Sequence, residues 1–263
     1  MNLVKRDLKA RYKTAVLGFF WSFAKPLFIM LILWIVFSKI VPIQLRDPAL
    51  PFTLHLLCGI LPWMFVTSGL MESMMSVLVN SDLVKKAQLP LSVFPAASVL
   101  ANLVHFLLAL LVLFGFIFAF GVRLSPWILL LPLIILFQTF FLFSVALILS
   151  SLYVFYRDVS SIMEVIFTGW FYATPIIYPM YMAQEKLGEL GMNWAFILLM
   201  LNPMAPIVLM YRWVLLAPAY SQPELPPEIF LRYVFIAFLI SIGLYLVGST
   251  TFRYYSRRFA DEL

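Results

Sequence analysis

The chain has 263 residues, of which 64% are hydrophobic and 11% charged, with a mean hydropathy of +1.01. A soluble domain of this length could not keep that much apolar surface dry, so the class is an all-α polytopic membrane protein. The net charge of +6 does not point to nucleic acid, because the basic residues sit between apolar runs and report topology instead.

Met1–Lys13 reads as an amphipathic helix. Met1, Val4, Leu8 and Tyr12 form an apolar stripe among Lys5, Arg6, Lys9, Arg11 and Lys13. Such a helix suits an anionic membrane face; the plainer reading is an anchor that orients the first span. That span, Val16–Ile40, is too long for a leader, and no small-residue cleavage site follows it. Pro26 is expected to kink it. Lys25 sits within its apolar run, where it either snorkels to the headgroups or meets an anionic substrate group.

A short loop, Val41–Pro51, precedes a second span over Phe52–Val79. On that span Phe65, Ser68, Glu72 and Ser76 share one helical face. Asn80–Pro90 is a charged break that reads as a short cytoplasmic helix. Asn80 or Ser81 caps it, Asp82 sits near its N-terminus, Lys85 and Lys86 lie nearer its end, and Pro90 stops it. The third and fourth spans are Val93–Gly121 and Pro126–Tyr153, each long enough to cross about 30 Å of hydrocarbon.

The fifth span lies in Val154–Met180, with its membrane part from Val159. On a helix, Ser161, Glu164, Thr168 and Tyr172 fall within an arc of about 80°. Lipid cannot satisfy such a stripe, so it is expected to face a protein interior or a wet cavity. A buried Glu164 could equally be neutral and structural. Beyond it, Met192–Leu201 and Pro206–Leu216 are too short to cross. They read as re-entrant or interfacial helices; length argues against a hairpin that crosses twice. The Pro-rich Ser221–Pro227 leads to a sixth span, Ile229–Phe252. With these spans, 11 basic residues fall on one side and six on the other. The richer side is cytoplasmic, and both termini lie there.

The sequence holds no G-x-x-x-x-G-K-[ST] loop and no G-x-S-x-G elbow. His55, His105 and Cys58 have no metal-ligand spacing. Its 26 Phe, 12 Tyr and 7 Trp mostly suit lipid contact and interfacial belts. Those sharing faces with Ser, Thr or Glu suit sugar rings, which stack on aromatic faces.

Several segments in order resemble one family. They are Arg6-Asp7-Leu8-Lys9-Ala10-Arg11-Tyr12-Lys13 with Leu17-Gly18, Trp21 and Pro26; Gly59-Ile60-Leu61-Pro62-Trp63; Leu83-Val84-Lys85-Lys86 with Leu89-Pro90; Tyr156-Arg157-Asp158 with Thr174-Pro175-Ile176-Ile177-Tyr178; and Asn202-Pro203-Met204. Each is short, but their order and spacing resemble the membrane subunit of type-two ABC exporters, in particular the polysaccharide exporters for O-antigen, capsule and teichoic acid.

The resemblance implies a homodimer of six-span subunits in the inner (plasma) membrane, with two copies of a separate ATPase that holds ATP and magnesium. The chain itself would carry no cofactor and no catalytic residue. Lys5, Arg6, Lys9, Arg11, Asp82, Lys85 and Lys86 would contact the ATPase. Phe65, Ser68, Glu72, Ser161, Thr168 and Tyr172 would line a conduit for a lipid-linked polysaccharide. The external gate would involve Tyr178, Asn202 and Pro203, with short helices over residues 192–216. Lys25 stands where the family more usually has a polar or small residue. Two other readings remain: an exporter of lipids or small hydrophobic compounds on the same fold, and a membrane-embedded glycan-modifying enzyme using Glu72 or His105.

Overall fold

The computed structural model describes residues 21–40, 45–46, 51–86, 90–220 and 223–262. Every regular element among them is helical. In chain order these are α1 (Trp21–Ile35, continued by a π-turn, Val36–Ile40), α2 (Phe52–Val79), α3 (Ser81–Lys86) and α4 (Val93–Ala119). There follow a 3-10 turn (Pro126–Leu130), α5 (Leu131–Phe155), α6 (Val159–Tyr172), α7 (Met180–Glu189), α8 (Asn193–Leu201) and α9 (Met204–Leu216). The chain then runs through α10 (Pro227–Tyr255) to α11 (Phe259–Glu262). Among the described residues, four helical segments are long and apolar enough to cross a membrane: Phe52–Val79, Val93–Ala119, Pro126–Phe155 and Pro227–Arg258. The α8–α9 pair, bent by 80° at its break, passes that test only as a unit.

α2 is the centre. Of its 28 residues, 19 are buried, as expected of a helix enclosed by others. α4 and α5 flank it, α1 packs outside α4, and α10 packs outside α5. Two glycines allow the closest approaches. A Cβ on Gly69 would stand 2.7 Å from Leu142 Cδ2, and one on Gly248 would stand 2.7 Å from the Ser144 carbonyl oxygen. Small residues serve this purpose where no hydrophobic effect drives helices together. Thr139, Ser144 and Ser151 return their hydroxyls to carbonyls one turn back, which satisfies them without a partner helix.

Two elements depart from the sequence reading. The helix expected over 159–180 stops at Tyr172, because Pro175 and Pro179 supply no N–H to continue it. Its 14 residues span only about 21 Å. Residues 181–189, for which the sequence offers no element, fall in α7 (Met180–Glu189). α9, within the stretch read as re-entrant or interfacial, is enclosed: of its 13 residues only Trp213 escapes burial, because it lies across α2 and α5 within the bundle.

At the α3 end of the molecule, Val77, Val84, Phe94, Val154, Phe252 and Phe259 form a separate apolar cluster. Of the 80–90 segment, the helix is described over Ser81–Lys86. Asn80 Nδ2 donates back to the Ser76 carbonyl at 2.7 Å. α11 folds against α3 and α5, and Phe259 is fully buried there.

Candidate functional site

The polar stripe lies on α6. Met163 is the one buried residue of this helix. Phe167, Trp170 and Phe171 continue its inward face at helical spacing. Ser161, Glu164, Thr168 and Tyr172 lie on the other side, all exposed. The Thr168 hydroxyl donates to the Glu164 carbonyl at 3.0 Å. Within a single chain, then, the stripe faces outward, flanked by exposed Ile162, Val165 and Ile166.

The second group of conduit residues is placed differently. Ser68 and Glu72 on α2 are half-buried, and a Glu72 carboxylate oxygen accepts a hydrogen bond from Asn102 Nδ2 on α4. Phe65 is buried, stacked on Phe106 with centroids 4.9 Å apart and planes 6° apart. Tyr211 of α9 meets Phe106 edge-on. The ring thus belongs to the core, because α9 folds into the space that the α2 face alone left open.

The three residues expected at an external gate lie where α6 ends. Trp170 Nε1 donates to Asn202 Oδ1 at 2.7 Å. Asn202 Nδ2 donates to Thr174 Oγ1 at 2.9 Å and to the Ala173 carbonyl at 3.2 Å. The same Oδ1 accepts from the Met204 N–H at 3.0 Å, next to Pro203, which supplies no N–H itself. The Tyr178 hydroxyl closes the turn by donating to the Tyr172 carbonyl at 3.1 Å. One asparagine therefore joins the end of α6 to the start of α9. Trp63 of α2 lies edge-on to Trp170 at 5.4 Å.

A second polar node was not foreseen. Arg212 of α9 is 1% exposed. Its Nη2 donates to the Ile176 carbonyl at 2.8 Å and its Nε to the His55 carbonyl at 3.2 Å. Its Nη1 lies 3.5 Å from Glu224 Oε1. Glu224 also accepts from the Met180 N–H through Oε2 at 2.7 Å and from the Tyr220 hydroxyl through Oε1 at 3.2 Å. Burial, then the Glu224 carboxylate, push the Tyr220 hydroxyl well above its ordinary pKa, so it stays a donor. With that proton given to Glu224, the 3.1 Å contact between Tyr220 and His55 Nδ1 requires His55 to carry its proton on Nδ1. Close by, Tyr211 donates to Gln138 Oε1 at 2.7 Å, and Gln138 Nε2 donates to the Pro62 carbonyl at 2.8 Å. The available signal was Arg212 itself, a charge with apolar residues on both sides.

At the α3 end, Asp82 is exposed on α3. Lys5, Arg6, Lys9 and Arg11 lie outside the described residues, as do the side chains of Lys25, Lys85 and Lys86.

Residues 1–190 match the ABC-2 type transporter family. Over 262 residues the chain is 32% identical to an O-antigen export system permease protein RfbA of Klebsiella pneumoniae, covering 99% of this chain and 93% of that protein. A second such protein of the same organism is 30% identical with the same coverage. One from Myxococcus xanthus is 28% identical, covering 100% of this chain and 94% of the relative.

Proposed function

The chain belongs to the ABC-2 type transporter family, and from that premise we propose that it is the permease subunit of an ATP-driven exporter of lipid-linked, O-antigen-like polysaccharide. The names of its full-length relatives support the substrate class. The observation that carries the mechanism is the uncovered stripe on α6. The Glu164 carboxyl cannot be left against lipid, so this face meets a second copy of the chain, a wet path, or both. In a homodimer two such faces form opposite walls. Ser161, Thr168 and Tyr172 offer hydroxyls there, and Ser68 and Glu72 stand at the half-buried edge. Tyr172 and the aromatics at the end of α6 guide sugar rings loosely rather than gripping them.

ATP and magnesium belong to two copies of a separate ATPase, which docks at the α3 end through Asp82, Lys85, Lys86 and the basic N-terminal segment. That end is cytoplasmic, six spans cross the inner membrane, and the Asn202–Pro203 junction with Tyr178 gates the outer end. Lys25 would meet an anionic group on the entering substrate.

The test is reconstitution with the ATPase in vesicles carrying lipid-linked glycan on one leaflet. ATP-dependent appearance of the glycan at the opposite face, read by a lectin, is the expected result. Hydrolysis that responds to small hydrophobic compounds while the glycan stays in place would sink this reading.

A further inference from the structure

Arg46, in the connection between the π-turn and α2, makes three contacts with α7. Its backbone N–H donates to the Tyr181 hydroxyl at 3.1 Å. Its guanidinium carbon stands 4.4 Å from the centroid of the Tyr181 ring, close enough for a cation–π contact. Its Nη2 donates to Glu185 Oε1 as an ion pair. Tyr181 and Glu185 are four residues apart, so they stand on one face of α7. One arginine therefore covers a full turn of a helix that lies 135–139 residues farther along the chain. A second ion pair on α7, Lys186 with Glu189, stays within the helix and joins it to nothing.

The two sides of this contact are held differently. Leu45, the residue before Arg46, is buried in the central core cluster, so Arg46 is fixed to the bundle around α2. Of the ten residues of α7, Met180 alone is buried. Its main helix neighbour is α8, whose Trp194, Ile197 and Leu198 are themselves exposed. The Met180 N–H is tied to Glu224. Beyond Met180, the hydrogen bonds that reach α7 from the bundle are, among the described residues, those of Arg46.

α7 begins just after the turn that ends α6, so a movement of α7 acts on that turn, where the Tyr178 hydroxyl holds the Tyr172 carbonyl. The strength of the Arg46 contact suits such a movement. The Arg46 and Glu185 side chains are 42% and 61% exposed. Exposed ion pairs and exposed cation–π contacts each shift an equilibrium only about two- to fivefold. A contact of that strength keeps α7 in place at rest and yields to a change driven by ATP.

We propose that Arg46 is a positioning residue for the outer end of the conduit: it clamps α7 to the bundle at rest and releases Tyr181 and Glu185 when the conduit opens. The release rests on the export function proposed above; the clamp does not.

Spin labels at Lys186→Cys on α7 and at Leu129→Cys, both exposed, report the position of α7 against the start of α5. Labelled chain is diluted with unlabelled chain so that distances within one chain are read, and the buried Cys58 stays unlabelled. Without ATP the unaltered chain should show one main distance. Arg46→Ala should enlarge a second population about fivefold. Arg46→Lys, which keeps the charge but loses the planar fork, should fall between. Arg46→Glu with Glu185→Arg, which reverses the pair, should return the distribution most of the way, a recovery that general damage to the fold would not give. For the release, Arg46→Cys and Glu185→Cys are joined by a cleavable bifunctional thiol reagent in the reconstituted exporter. Joining should lower ATP-driven glycan export about tenfold, because the closed state is then held covalently, and cleavage should restore it. An unchanged distribution in Arg46→Ala, or a reversed pair no better than Arg46→Ala, would overturn the clamp. Export by the joined chain at the unjoined rate would overturn the release. The distances need neither ATP nor glycan. An unaltered chain that exports no glycan would therefore overturn the export function and the release with it, while the distances still decide the clamp.

Discussion

Arg212 joins four stretches of chain through one guanidinium: α9, which carries it, the start of α2, the turn after α6, and the segment before α10. Removing one member of a buried ion pair leaves the other charge stranded and costs about 3–5 kcal/mol, whereas replacing both with apolar residues is often close to neutral. Arg212→Leu should therefore destabilise the subunit by about that amount. Arg212→Leu with Glu224→Leu should recover part of the loss, though not all, since two carbonyls still lose their donor. Thermal unfolding in detergent measures both, and a double variant no more stable than the single would remove the pair from the account. The sequence made this charge visible but not its partner. Glu224 lies in a proline-rich stretch beyond α9, and no helical periodicity relates them. Their meeting depends on α9 folding back into the bundle. The same fold-back buries Phe65 within the chain, since a face of α2 can be read by spacing while its neighbour cannot.

For single helices, legibility follows periodicity. α2, α4, α5 and α10 were readable because each is a long apolar run, and the stripe on α6 was readable because four polar or aromatic residues recur within one arc. The end of α6 at Tyr172 was not, although Pro175 and Pro179 were in view, because apolar sequence continues past it. The stripe predicts a labelling pattern. Cysteines at Ser161, Thr168 and Tyr172 should react with a small water-soluble thiol reagent in the opened transporter, whereas Phe65→Cys should stay unreactive behind Phe106. The native Cys58 is buried and gives a low background. Reaction at Phe65→Cys as fast as at Thr168→Cys would show that the α2 face opens to water. Helix contact gives a paired prediction on α10. Gly248→Val places a Cβ against the Ser144 carbonyl and forces α10 off α5, with a typical overpacking cost of about 1–3 kcal/mol. Gly243→Val, with nothing within 4 Å of its Cβ, should be nearly silent. Equal melting temperatures for the two variants would contradict the close approach.

Across the whole molecule, the order of helices, α1 outside α4, then α2, then α5 and α10, sets what the α3 end can move. Ser81–Lys86 is too short to act alone. It rests on a cluster that includes Val154 of α5, Phe252 of α10 and Phe259 of α11. The Phe259 ring lies 6.0 Å from Phe155 and 5.5 Å from Phe252. A push on α3 is therefore delivered to α5 and α10 as well as to its chain neighbours α2 and α4. That Phe259 returns to the connector is a tertiary fact that no periodicity in the sequence shows. Under the proposed function, two variants should separate docking from transmission. Reversing charge at Lys85 and Lys86 removes attraction at the surface, so it should reduce co-purification with the ATPase. Phe259→Ala leaves that surface intact but takes away its support, so it should preserve co-purification and raise the ATP consumed per glycan exported. Phe259→Leu, which refills most of the space, should return the ratio toward that of the unaltered chain. If Phe259→Ala lowers export and hydrolysis in proportion to the amount of assembled complex, the cluster supports folding alone and force from α3 reaches the conduit by another route.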